Sequence, residues 1–298
     1  MITRLKKKLA RIIELFRAIG RIETKLDFVT RDMEITREAV QNNAIDVKTI
    51  QKRLMRIEAQ GASDLSVRIG EVELTPSPVR ELSIDEVFDD LKREVPAAFE
   101  QWIKLVDVNG DTFEGYPVHS CAVKGHPVGH YFYYYCKPQL TGRVLDIGCG
   151  PQPIPFYLKD YPVELISGID PLPAVEGHPF QFVRGLAETL PWEDDSFSTV
   201  ILATSLDHIL LIDRAYDEIA RVLKPGGKVL MWNAFVKEAA IYDPYDPGIK
   251  PVDDYHLFHF TKQGFEDSIS DTFFVEDVTR FENEIDHYFY SLSPYLSK

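Results

Sequence analysis

The chain has 298 residues, 45% of them hydrophobic, enough to bury a sizeable core and to exclude wholesale disorder. Its net charge of −14 is uneven, with 14 Lys and Arg against 8 Asp and Glu in residues 1–60 and 19 against 39 in the remainder. A body that acidic repels phosphate backbones, which argues against nucleic acid as substrate or partner.

Residues 1–60 carry two seven-residue ladders. One runs Ile12, Ile19, Leu26, Met33, Val40, Val47, Leu54, and the other Leu15, Ile22, Val29, Thr36, Asn43, Ile50, Ile57. Offset by three, they are the a and d positions of a coiled coil, and the first proline comes only at Pro76. The spacing predicts a helix of roughly 70 Å at 1.5 Å per residue. Such a seam implies self-association as a dimer or trimer, with Thr36 and Asn43 as polar layers that fix register. The basic start, Arg4 to Arg11, reads as a solvated helix end in preference to a membrane contact.

Gly61, Gly70, Pro76 and Pro78 punctuate residues 61–80, the expected linker to a domain spanning 81–298. Ser83 and Glu86 have capping-box spacing and predict a helix over 83–94, which Pro96 restarts. Asn109-Gly110 reads as a turn. His119, His126 and His130 lack firm metal-ligand spacing, and no metal is expected. The aromatic run 131–135 cannot all face one core.

The stretch Arg143-Val-Leu-Asp-Ile-Gly-Cys-Gly-Pro-Gln-Pro153 reads as a buried strand ending in Asp146 and a glycine turn at Gly148 and Gly150. Such a turn, leading into a helix N-terminus, holds nucleotides in doubly wound α/β sheets. A second apolar strand ends at Asp170, where a carboxylate accepts from ribose hydroxyls. Then follow Gly185-Leu-Ala-Glu188, Leu190-Pro-Trp192, a strand over 199–205 and Leu223-Lys-Pro-Gly-Gly227.

Order and spacing of these segments resemble the class I S-adenosylmethionine-dependent methyltransferases over residues 125–290. The resemblance implies a Rossmann-like, mostly parallel sheet with an antiparallel closing strand pair at 273–281 and 287–292. Residues 81–140 would form a cap and lid, with the pre-strand aromatics closing over the site, and 141–298 the catalytic core. It implies S-adenosylmethionine as cofactor, held by Asp146, Gly148, Gly150, Asp170, Leu186, Ala187, Trp192 and Thr204. Leu186 stands where the family commonly has a carboxylate for adenine, so apolar contact from Leu186 and Trp192 would replace it.

The strand over 199–205 delivers Asp207 and His208 to the sheet's carboxyl edge. His208 is the expected general base, oriented by Asp207, or Asp207 is itself the base. The expected activity is O-methylation of a sugar, glycan or small-molecule hydroxyl, against C- or N-methylation of a small metabolite or a coiled-coil scaffold with a vestigial nucleotide fold. The three cysteines (Cys121, Cys136, Cys149) show no pairing pattern, and no apolar run is long enough for a signal peptide or span. The expected compartment is the cytoplasm.

Overall fold

The computed structural model describes residues 77–115, 122–172, 177–281 and 286–295. The expected coiled coil and the linker up to residue 76 lie outside the described residues. Of that linker, residues 77–80 are already part of the fold. Ser77 is buried, Val79 bridges to Trp192, and the Arg80 amide donates to the Pro191 carbonyl at 2.8 Å.

Seven strands form one sheet: β1 Val144–Ile147, β2 Ile166–Asp170, β3 Gln181–Arg184, β4 Phe197–Ala203, β5 Leu223–Phe235, β6 Phe273–Phe281 and β7 Asp286–Pro294. Their spatial order is β3-β2-β1-β4-β5-β7-β6. The first five pair in parallel, and β7 runs antiparallel to both β5 and β6. All residues of β1 and β2 are buried, as strands covered on both faces must be. The chain winds outward from β1 to β3, then returns to β4 on the other side of β1. That reversal opens a crevice at the carboxyl ends of β1 and β4.

Alternate residues of each strand feed two cores. Leu145, Val200, Val229 and Met231 pack with Ala215 and Ile219 of helix Ile212–Val222 and with Phe265 and Ile269 of helix Lys262–Ile269. On the opposite face, Val144, Ile201, Leu230 and Trp232 meet Phe132 and Cys136 of helix Pro127–Cys136. We number the α-helices in chain order: α1 Ile84–Glu94, α2 Pro96–Gly115, α3 Pro127–Cys136, α4 Ile212–Val222 and α5 Lys262–Ile269. A third apolar cluster joins α1 and α2 to Leu210, Leu211, Leu257 and Phe258.

The Ser83 hydroxyl caps α1 by accepting from the Glu86 amide at 3.4 Å, and Pro96 opens α2. Asn109-Gly110 makes no turn. Helix α2 runs through it, because the Asn109 side-chain amide donates to the Leu105 carbonyl at 2.9 Å and to Tyr255 O at 3.0 Å. The glycine loop also departs from expectation, since no α-helix follows it. Pro151, Pro153 and Pro155 remove three backbone donors, and only 3-10 turns at Phe156–Leu158 and Val163–Leu165 form before β2. Nor does the aromatic run serve as a lid. Phe132 packs among Tyr157, Trp232 and Phe289, Tyr131 lies against Phe281, and none of residues 131–135 lines the crevice.

Candidate active site

The crevice is a cavity of about 1040 Å³. Its floor is the backbone of Gly148, Cys149 and Gly150. Gly148 has φ +71° and donates its amide to Ile169 O at 2.8 Å. A Cβ there would lie 2.4 Å from Ser205 Cβ, and the Ser205 hydroxyl donates to Ile147 O at 2.7 Å. The turn after β4 therefore rests directly on the turn after β1, with no room for a side chain between. Thr204, beside Ser205, lines the cavity with φ +56°, an uncommon conformation for a β-branched residue.

Asp170 closes one side. Its two oxygens accept from the Gly150 and Leu172 amides, each at 2.9 Å, which ties the end of β2 to the glycine loop. Each oxygen keeps a lone pair for a further donor. Burial pushes this carboxyl up to about 6, against the two amide hydrogen bonds. Leu186 and Ala187 add an apolar wall. Next to them the buried Glu188 accepts from the Leu210 and Leu211 amides at 2.8 and 3.2 Å, anchoring the chain that enters α4.

Two expected cofactor contacts lie elsewhere. Asp146 is fully buried behind the glycine loop and does not line the cavity. The Tyr157 hydroxyl donates toward both its oxygens, at 2.9 and 3.1 Å. Burial raises this carboxyl to about 8, with Tyr157 opposing and the nearby Asp170 charge adding to the shift. Trp192 is also wholly buried and absent from the cavity wall; its indole N–H donates to Gln181 Oε1 at 3.3 Å and its ring meets Phe197 edge-on. The bridge to Val79 fixes the Trp192 backbone and turns the ring inward, a tertiary contact the motif does not encode.

At the far end of the cavity, the 3-10 turn Leu206–His208 presents Asp207 and His208, with His208 Nε2 3.8 Å from Asp207 Oδ1. The loop after β5 brings His256 Nε2 to 3.9 Å and His259 Nδ1 to 4.0 Å from Asp207 Oδ2. On the other side of these two rings sits Asp253, 3.0 Å from His256 Nδ1 and 3.1 Å from His259 Nε2. Burial lowers the His208 pKa, with the Asp207 charge opposing. Helix α2 holds both halves of the cluster, since the Trp102 indole donates to His208 O at 2.7 Å and Asn109 to Tyr255 O. Sequence reasoning missed Trp102, Asp253, His256 and His259. The regular Asp253-x-x-His256-x-x-His259 spacing was the available signal.

Residues 145–231 match the model of a family described as a methyltransferase domain. The matched stretch runs from β1 into β5 and includes the glycine loop. The uncharacterized methyltransferase YcgJ of Bacillus subtilis is 31% identical over 115 residues, 35% of this chain and 45% of its own. The ubiquinone/menaquinone biosynthesis C-methyltransferase UbiE of Legionella pneumophila is 33% identical over 79 residues, 26% of this chain and 29% of its own. The chain thus spans less than half the length of these relatives. The structure of a 1,6-didemethyltoxoflavin-N1-methyltransferase from Burkholderia thailandensis, with S-adenosylhomocysteine bound, overlays at a TM-score of 0.49 and 13% identity, covering 73% of this chain and 92% of that one.

The residues that line the cavity fit S-adenosylmethionine. A floor without side chains, the free acceptor positions of Asp170 and the apolar Leu186 suit loop-bound backbone, ribose hydroxyls and a flat base respectively. Among the described residues no helix is long and apolar enough to cross a membrane.

Proposed function

We propose that this protein is an S-adenosylmethionine-dependent methyltransferase acting on a hydroxyl of a small molecule or sugar. The reading rests on the cavity's two ends: a nucleotide-fitting floor at Gly148, Gly150 and Asp170, and a cluster of three imidazoles and two carboxylates opposite. When bound, the cofactor supplies an electrophilic sulfonium methyl group, to which the acceptor oxygen bonds as the carbon–sulfur electron pair returns to sulfur. The chain's part is to align the acceptor and take its proton. Asp207 and His208 are the catalytic pair, oriented by the Trp102 hydrogen bond to the turn that carries them. The Tyr255 ring, with Asn109 and Thr112, offers the mixture of a flat apolar face and hydrogen-bonding groups that a sugar or polyol uses. Transfer to an activated carbon, the chemistry printed in the name of UbiE, needs no such proton-accepting cluster.

Calorimetry with S-adenosylhomocysteine tests the cofactor half. Asp170→Ala should weaken binding by about 1–3 kcal/mol, the scale of a lost charged hydrogen-bond partner. No binding by the intact chain ends the enzyme reading. A cofactor-turnover screen against nucleotide sugars, glycans and phenols tests the acceptor half, and turnover confined to amines or carbon acids refutes it.

A further inference from the structure

We propose that the far wall of the cavity binds one divalent transition-metal ion, ligated by Asp207, His208 and His256. Each of these residues offers a donor atom, and the three atoms lie within 4.8 Å of one another. The separations from Asp207, 3.8 Å to His208 Nε2 and 3.9 Å to His256 Nε2, are too long for hydrogen bonds. They are close to what an ion requires: bonds of about 2.0–2.2 Å place neighbouring donors about 3.0–3.5 Å apart, so each histidine nitrogen has roughly half an ångström to close toward Asp207.

A second observation concerns the tautomers. Asp253 already accepts from the backbone amides of Tyr255 and His256, at 2.8 and 2.7 Å, so its carboxylate is fixed in place. Held at 3.0 Å from His256 Nδ1 and 3.1 Å from His259 Nε2, it draws the proton of each neutral ring to its own side. The bare lone pairs are then His256 Nε2 and His259 Nδ1, the two nitrogens that face Asp207. A carboxylate behind the imidazole, a lone pair in front and a second carboxylate across the gap is how proteins orient histidine ligands. A hydrogen-bond network alone accounts for Asp253 and leaves the convergence of three imidazole nitrogens on Asp207 unexplained.

Helix α2 pins both halves through Trp102 and Asn109, so the donors are held before any ion arrives. Two imidazoles and one carboxylate suit zinc, cobalt, iron or nickel better than magnesium or calcium. The inference borrows its purpose from the methyl-transfer reading. With an ion bound, Asp207 and His208 would serve as its ligands in place of the proton-accepting role they have in the ion-free site. The ion would lower the pKa of an acceptor hydroxyl, and His259 Nδ1, 4.0 Å from Asp207 Oδ2, would receive the released proton.

The test uses the full chain, untagged and stripped with a chelator, titrated with Co²⁺ and followed by its visible ligand-field bands. One Co²⁺ should bind per chain and be displaced by Zn²⁺. Asp207→Ala and His256→Ala should each weaken binding at least tenfold, and Asp253→Asn about 10–100-fold, as for other lost orienting partners. Binding of S-adenosylhomocysteine by each variant checks its fold. Absence of saturable Co²⁺ binding, or unchanged affinity in folded Asp207→Ala and His256→Ala, overturns the site. For any variant that fails to fold, protection of His208 and His256 from diethyl pyrocarbonate by Co²⁺ in the intact chain decides, and lack of protection refutes the site. Co²⁺ binding without S-adenosylhomocysteine binding would sink the methyl-transfer reading while leaving the ion site standing.

Discussion

Gly148→Ala should destabilise the domain for two separable reasons, and Ser205 tells them apart. The first is backbone strain: φ is +71°, and an alanine in that region costs about 1–2 kcal/mol. The second is the collision of the new Cβ with Ser205 Cβ at 2.4 Å, an overpacking term of about 1–3 kcal/mol. Together they amount to roughly 2–5 kcal/mol, and a domain of this size loses about 2–4 °C of melting temperature per kcal/mol. Ser205→Gly removes the colliding atom and leaves Cα at 3.8 Å, an ordinary contact, at the loss of the hydroxyl's hydrogen bond to Ile147 O, about 1 kcal/mol. Ser205→Ala loses the same hydrogen bond but keeps the Cβ. Thermal melts of the two double variants therefore form a cycle. Gly148→Ala with Ser205→Gly should recover about 1–3 kcal/mol relative to additivity, whereas Gly148→Ala with Ser205→Ala should recover little. Equal behaviour of the two pairs would show that the glycine is needed only for its φ, and the contact argument would fall.

Replacing His208 with alanine should lower turnover by about 100-fold with S-adenosylhomocysteine affinity kept, the scale of a lost proton-transfer group. Should Asp207→Asn be inactive and His208→Ala active, the carboxylate carries the role, and activity in both would point to an acceptor that needs no deprotonation. For the amino-terminal heptads, light scattering should find an oligomer for the full chain and a smaller species for a chain starting at Ser77. That truncation should still bind S-adenosylhomocysteine, because it keeps the Val79 and Arg80 contacts to the Pro191 and Trp192 backbone. A monomeric full chain refutes the seam as an association surface.

Where a local rule settles the conformation, the sequence was a good guide. Strand-turn patterns located β1, β2 and the glycine loop, and the Ser83 cap marked a helix start, its hydroxyl accepting from the Glu86 amide at 3.4 Å. The failures share a cause in contacts between distant segments. Asn109-Gly110 has turn chemistry, yet the Asn109 side chain is engaged by Tyr255, far along the chain. Trp192 sits in a family motif, but Val79 turns it into the core. Asp146 lies in β1, one residue before its end, and its side chain meets Tyr157 instead of the cavity. The histidine cluster is the sharpest case. Its residues come from two loops, and only the reversal of strand order between β1 and β4 and the span of α2 bring those loops face to face.

Behind the glycine loop the domain buries two carboxyls whose partners are dipoles: a tyrosine hydroxyl for Asp146 and two backbone amides for Asp170. Unfolded, both would ionise near 3.8; folded, burial lifts Asp146 to about 8 and Asp170 to about 6. Between those limits the folded chain holds more protons than the unfolded one, so the stability these groups contribute is complete at low pH and is lost as pH rises through 6 and then 8. The buried histidines His126 and His287, held neutral and lowered to about 4, act in the opposite sense over the same range, so the carboxyl contribution is read by difference. The melting temperature of the parent chain relative to Asp146→Asn, which cannot ionise, should fall between pH 6 and pH 8. A cationic ligand beside the loop favours the ionised carboxyls, so its binding should release protons near pH 7, visible as a binding enthalpy that depends on the buffer's own ionisation enthalpy. If Asp146→Asn melts with the same pH slope as the parent chain, Asp146 is already ionised in the folded protein, and the charge of the bound ligand has nothing to relieve there.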